Sequence, residues 1–176
     1  MSDQQPLVNR VAASGLITIN LEDFFPAEEV IPFDLKDYLF MELILKEKDF
    51  RAALKEHDWT QYEGKYLAVF CSTDAIIPVW AYMLVAAKAG KVAKDVFQGS
   101  VDQFYTQYFR TAVEVVKGED YAEKRIVIKG CSDKPVPPSA YVDLTQKLLP
   151  FAQSIMYGEP CSTVPVFKRP RVLRKK

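Results

Sequence analysis

The chain has 176 residues, of which 49% are hydrophobic and 26% are charged, a composition typical of globular proteins. Its 23 lysines and arginines balance its 23 aspartates and glutamates. Six of those cations fall in residues 168–176, so the rest of the chain is mildly acidic and a poor candidate for binding polyanions.

The first ten residues lack the basic and apolar runs of a secretory signal. The longest uncharged run, residues 75–87, is shorter than the roughly 20 apolar residues that a membrane helix needs. We therefore expect a cytoplasmic protein without a membrane segment. We expect residues 1–167 to form a single α/β domain, and residues 168–176 to form a basic tail whose contact with nucleic acid is weak at most.

The predicted elements in the first third of the chain are short. The segment of residues 15–25 begins with an alternation of side chains, from Leu16 to Leu21, that predicts a short strand. Asp34 is predicted to be a helix N-cap, a position at which aspartate is common. Residues 41–45 fit either a strand or a continued helix. Residues 49–57 place their apolar side chains on one face of a helix.

From residue 65 onward, predicted strands and helices alternate. Apolar runs predict strands at residues 65–71, 93–98, 124–130 and 154–157. Helices are predicted between them, at residues 75–89, 100–117 and 138–149, the last with Pro138 in its first turn. Alternation of this kind indicates βαβ units, hence a three-layer α/β fold with a mostly parallel sheet and helices on both faces.

Each of the three cysteines is followed by a serine, although the chain has only eight serines. The pairs are Cys71-Ser72, Cys131-Ser132 and Cys161-Ser162. The first two pairs also follow an apolar strand, and both precede a proline and an Ala-Tyr pair. This repetition predicts three versions of one local structure. In a reducing cytoplasm an odd number of cysteines is expected to stay as thiols or thiolates.

The three thiols are predicted to converge on one metal site. Parallel strands bring their carboxyl ends to one edge of a sheet, where ligands bind. Cys71 and Cys131 are predicted at that edge, where the start of a helix favours the thiolate. Cys161 reaches the same edge if the last strand is parallel and close. Three soft anionic ligands suit zinc, copper(I) or an iron–sulfur cluster with one open iron site.

Further side chains near the cysteines are candidates for a fourth ligand or for hydrogen bonds to sulfur. The ligand candidates are His57, Asp74 and Glu159, and the hydroxyls that could donate to thiolate sulfur are those of Ser72, Ser132 and Ser162. Each also has a structural interpretation: His57 as a partner of a helix dipole, Asp74 and the serines as helix caps, and the cysteines as small buried side chains. The chain has no glycine-rich phosphate-binding motif, so no nucleotide cofactor is expected.

Two other functions stay open. The chain could be an enzyme in which Cys71 or Cys131 is a thiolate nucleophile. It could also be a non-catalytic interaction module, for which the basic tail is the main clue.

Several sequence blocks, three of which contain the cysteines, are shared with a known family. They are Phe33-Asp34-Leu35-Lys36-Asp37, Cys71-Ser72 with Trp80-Ala81-Tyr82, Lys129-Gly130-Cys131-Ser132, Gly158 to Pro165, and Lys168-Arg169-Pro170. Over nearly its whole length the chain resembles the bacterial domain-of-unknown-function family numbered 2480. The resemblance implies no established activity. It implies iron–sulfur assembly genes as neighbours, so an assembly protein is one expected partner.

Overall fold

The structure is a computed structural model that describes residues 15–130 and 133–170. Its strands are β1 (Leu16–Asn20), β2 (Val30–Asp34), β3 (Tyr66–Phe70), β4 (Asp95–Gln98), β5 (Arg125–Lys129), β6 (Ser154–Glu159) and β7 (Ser162–Lys168). Its helices are α1 (Glu47–Glu56), α2 (Val79–Ala89), α3 (Val101–Glu114) and α4 (Pro138–Leu148). Short 3₁₀ turns lie at Leu21–Phe24, Leu35–Tyr38, Trp59–Tyr62 and Gly118–Tyr121.

The strands form two sheets, in the orders β1-β5-β6-β7 and β2-β3-β4. All neighbouring strands are parallel except β6 and β7, which are antiparallel. The predicted α/β class with mostly parallel pairing is therefore confirmed, although the strands divide between two sheets where the sequence indicated one. None of the helices in the described ranges combines the length and the apolar character needed to cross a membrane.

Two strands that the sequence did not predict each contain a proline. Pro32 lies in β2 and Pro165 lies in β7, and both strands are at the edge of their sheet. Proline cannot donate a backbone hydrogen bond, so an edge strand is where it is tolerated. Pro165 also sits beside the irregularity in the register between β6 and β7.

The chain forms two compact units. We call residues 26–107 the inserted unit, and the residues on either side of it, up to 25 and from 108 onward, the split unit. The inserted unit contains β2, α1, β3, α2 and β4, while the split unit contains β1, β5, α4, β6 and β7. Helix α3 begins in the inserted unit and ends in the split unit. The single domain expected for residues 1–167 stays a prediction.

The two units repeat one order of elements in one register. In the inserted unit Tyr66 of β3 pairs with Asp95 of β4. In the split unit Arg125 of β5 pairs with Ser154 of β6. Arg125 follows Tyr66 by 59 residues, and Ser154 follows Asp95 by the same number. The 3₁₀ turns before β3 and β5 and the helices after them keep the same separation. The chain is therefore an internal repeat, with β7 added to the second copy.

The repeat extends to the buried side chains. Helices α2 and α4 each bury one stripe of residues spaced by four, as an amphipathic helix on a sheet does. Equivalent positions are fully buried in both copies: Ala81, Val85 and Ala89 in α2, and Ala140, Leu144 and Leu148 in α4. Both helices also begin directly after a proline N-cap, Pro78 or Pro137.

The start of helix α2 and the structure of residues 41–45 were predicted wrongly. Helix α2 begins at Val79 rather than at residue 75, because Pro78 disfavours a helical conformation for Ile77 before it. Residues 41–45 form neither a strand nor a helix: a single antiparallel bridge joins Phe40 to Ile44 around a tight turn. Met41 and Glu42 take positive φ angles of 50° and 57° in that turn.

Candidate functional site

The carboxyl ends of β5 and β6 lie side by side in the split unit. The strands are parallel neighbours, and the Nζ atom of Lys129, the last residue of β5, is 3.2 Å from Oε1 of Glu159, the last residue of β6. Cys161 follows β6 by two residues and is exposed. Cys131 follows β5 by two residues in the sequence, and it lies with Ser132 outside the described residues. Sequence position thus puts a cysteine after each of two adjacent strand ends.

The segment after β5 is held by an acidic side chain that follows β1. Glu22 is only 9% exposed, and its Oε1 accepts a hydrogen bond of 3.1 Å from the backbone N–H of Asp133. The Nζ atom of Lys134 donates to the Glu22 carbonyl oxygen at 3.3 Å. Sequence reasoning missed Glu22, because the predicted strand in residues 15–25 was not given an end at Asn20.

Cys71 lies at the corresponding edge of the inserted unit. It directly follows β3, is half-buried, and its Sγ is 3.2 Å from the Thr73 hydroxyl. The prediction that Cys71 follows a parallel strand is confirmed. The expected helix start beside it is wrong, because α2 begins eight residues later.

Asp34 at the end of β2 anchors the segment that contains Cys71. Its Oδ1 accepts hydrogen bonds from the backbone N–H groups of Lys36 at 2.9 Å and Ser72 at 3.0 Å. Burial by itself would raise the pKa of Asp34, but hydrogen bonds from the Ser72 side chain and from these two N–H groups outweigh it and hold the pKa below its usual value. Asp34 is an N-cap as predicted, for the 3₁₀ turn Leu35–Tyr38.

The internal repeat accounts for the likeness between the segments after β3 and β5. With the separation of 59 residues, Pro78 corresponds to Pro137 and Ala81 to Ala140. The same register places Cys71 opposite Gly130, not opposite Cys131. Gly130 has φ of +142°, and a Cβ atom there would lie 2.8 Å from Cβ of Leu21. A cysteine therefore does not fit the position in the split unit that corresponds to Cys71.

The other predicted site residues lie as follows. Asp74 and Ser72 are exposed, and neither caps α2, whose N-cap is Pro78. Ser162 is the exposed first residue of β7 and pairs with Glu159 in the strand register. Within residues 15–130 and 133–170, no group of three or more His, Cys, Asp and Glu side chains is placed to hold a metal ion. Convergence of the three cysteines stays a prediction.

His57, the only histidine, lies at the C-cap of α1 inside an aromatic cluster. Its Nε2 is 2.8 Å from the Tyr62 hydroxyl and its Nδ1 is 3.3 Å from the Tyr38 hydroxyl. The imidazole stacks on the Tyr62 ring at 5.6 Å between centroids. Both ring nitrogens therefore have partners within the inserted unit, which disfavours His57 as a metal ligand.

Burial sets the protonation states in this cluster. It lowers the pKa of His57, with the nearby Asp58 carboxylate opposing the shift, and it raises the pKa of Tyr62 to about 12. The split unit has Val116 where the inserted unit has His57, and Gly118 where it has Trp59. The hydrogen-bonded cluster thus belongs to one copy of the repeat, and no sequence motif marked Tyr38 and Tyr62 as its members.

Comparison with known proteins gives one match. No curated protein and no solved structure matches the chain. The family model described as "Protein of unknown function (DUF2480)" matches residues 5–169. With nearly its whole length matched, the chain belongs to this family of unknown function.

Proposed function

We propose that the chain binds a soft metal, as zinc or as an iron–sulfur cluster, through cysteines at the carboxyl edge of the split unit's sheet. Cys131 and Cys161 supply the thiolates, and Cys71 in the inserted unit is not required. This narrows the three-cysteine site indicated by the sequence to the two cysteines that follow strands of one sheet.

The arrangement of β5 and β6 carries the proposal. Adjacent strands of a sheet are about 4.8 Å apart, so residues that follow two such strands by equal lengths start from neighbouring points. The contact between Lys129 and Glu159 marks those two strand ends as neighbours in this chain. Two thiolates on neighbouring strand ends suit a tetrahedral zinc or an iron–sulfur cluster.

Glu159 is the described side chain best placed to add an oxygen ligand. Its carboxylate lies at the same strand end. In its ion pair with Lys129 the Glu159 side chain is 55% exposed and the Lys129 side chain 33%, so little stability is lost when the carboxylate turns away. Asp133, whose backbone N–H is fixed by Glu22, is a second carboxylate after β5. A metal held in this way requires reduced thiols, which fits a cytoplasmic location and a role in metal or iron–sulfur handling with a protein partner.

Metal content tests the proposal. The full chain is purified without chelator, in air and anaerobically, and zinc and iron are measured per chain together with an absorption spectrum. We expect near-stoichiometric metal in the parent chain. We expect most of it to be lost in Cys131→Ser and in Cys161→Ser.

Cys71→Ser is the matched control, because it makes the same change at a strand end of the other unit. It should keep the parent's metal content and the parent's circular dichroism. Loss of metal in all three variants would show that Cys71 is also required, as in the three-cysteine site indicated by the sequence. A parent chain without metal under both conditions, or a Cys161→Ser chain that keeps its metal, would refute the proposal.

A further inference from the structure

The split unit contains a cavity at the end of its sheet opposite Lys129 and Glu159. Its volume is about 650 Å³, within the range of small-molecule sites. It is bordered by Arg125 and Ser154, the first residues of β5 and β6, and by Lys168, the last residue of β7. The cavity is therefore formed by the beginnings of two parallel strands and the end of the antiparallel strand.

The strand register explains which polar and apolar side chains lie together at this cavity. Ser154 pairs with Arg125 on one side and with Lys168 on the other, so these three side chains form one row across three strands. Two residues further along β6, Met156 pairs with Pro165 of β7. Ser154 and Met156, two apart in β6, share a face, so Met156 adjoins the polar row. On β7 the register shift between the two rows brings Pro165, three residues from Lys168, to the same cavity.

The charge of the cavity is of one sign. Arg125 and Lys168 are its charged residues, and none of the described residues that line it is acidic. Met156, Pro165 and Phe167 supply apolar surface. A cleft lined by one sign of charge concentrates ligands of the opposite sign.

The inserted unit lacks these features at the equivalent place. The register puts Tyr66 where the split unit has Arg125, and Asp95 where it has Ser154. Among the described residues β4 pairs only with β3, so no counterpart of β7 supplies a second cation. The cationic row is thus a departure from the repeat and is not required by the fold, which both copies share.

We infer that this cavity binds a small organic anion with an apolar body. The anionic head lies between Arg125 and Lys168, which donate charge-assisted hydrogen bonds to it. The apolar body lies against Met156, Pro165 and Phe167. The inference is independent of the metal proposal, because the two sites are at opposite ends of the strands.

Met156 provides a reporter for the test. The described methionines are Met41, Met83 and Met156, and the first two are exposed residues of the inserted unit. The full chain, labelled with ¹³C at the methionine methyl groups, is titrated separately with decanoate, decanol and acetate. We expect decanoate to shift the Met156 resonance saturably and to leave those of Met41 and Met83 in place. Decanol and acetate should each bind at least tenfold more weakly.

Two double variants test whether the positive charges of the cavity contribute to binding. In Arg125→Gln/Lys168→Gln, decanoate affinity should fall by about tenfold or more, since loss of one charge-assisted contact already costs a factor of that order. Lys88→Gln/Lys91→Gln, which removes two exposed cations from the inserted unit, should bind as the parent does. Before decanoate is added, the Met156 resonance of each variant is compared with that of the parent. An unchanged chemical shift indicates that the cavity is intact.

Three results would overturn the inference. Decanoate could fail to shift Met156, decanol could bind as tightly as decanoate, or the Arg125→Gln/Lys168→Gln chain could keep the parent affinity. The first would show that no such ligand enters the cavity, and the other two would show that the cationic row does not select anions.

Discussion

At the scale of single residues, the aromatic cluster determines how His57 titrates. Because it is the chain's only histidine, its NMR titration is free of overlap from other imidazoles. We expect a pKa below the ordinary value of about 6.5, since burial disfavours the imidazolium and the Asp58 carboxylate compensates only in part. A measured pKa at or above 6.5 would contradict this description of the cluster.

The same shift has a consequence for stability. With a folded-state pKa below that of the unfolded chain, folding favours neutral His57. The resulting contribution is fully present above about pH 6.5 and is lost as the pH falls through the folded-state pKa. Urea unfolding of the parent and of His57→Gln at pH 7.5 and pH 5.5 should show the smaller pH dependence in the variant over this interval.

The position of a single residue could be predicted from the sequence where it depends only on the strand or helix that precedes it in the chain. Cys71 was placed correctly at a strand end, because a continuous apolar run precedes it. The one-residue offset between Cys71 and Cys131 was not predicted, since it depends on the close approach of Gly130 to Leu21. The partners of His57 were not predicted either, because Tyr38 lies 19 residues away from it in the sequence.

At the scale of elements, strands were predicted well where they are apolar throughout and poorly where they contain proline. β3 and β5 bury three consecutive residues each, which gives the apolar runs that marked them. β2 contains Pro32 and β7 contains Pro165. In a sequence a proline suggests the end of a strand, but an edge strand tolerates it. The division into two sheets depends on the pairing of β1 with β5, for which no local pattern exists.

The edge strand β4 carries its own protection against pairing with other chains. The Asp95 carboxylate accepts a hydrogen bond of 2.8 Å from the backbone N–H of Val96 and places a charge on the strand. We expect Asp95→Ala to self-associate as its concentration rises, detected by sedimentation velocity. Asp102→Ala removes the same charge from α3 and should sediment as the parent does. Equal behaviour of Asp95→Ala and the parent would show that this carboxylate does not protect the edge.

At the scale of the whole molecule, the inserted unit is continuous in sequence while the split unit is not. Residues 26–114 contain all strands and helices of the inserted unit, the His57 cluster and the whole of α3. We expect this fragment to fold alone, shown by circular dichroism and by a His57 pKa that stays below 6.5. A disordered spectrum would show that the inserted unit depends on the rest of the chain.

The pairing of β1 with β5 also sets the order in which a growing polypeptide can acquire its structure. All residues of the inserted unit are translated before β5, and domains generally fold as units during synthesis. Among the described residues β1 pairs with β5, whose first residue follows that of β1 by more than a hundred positions. The nascent chain therefore carries β1 without β5 while the inserted unit folds, and it is in this interval that binding to a chaperone would be most useful to it.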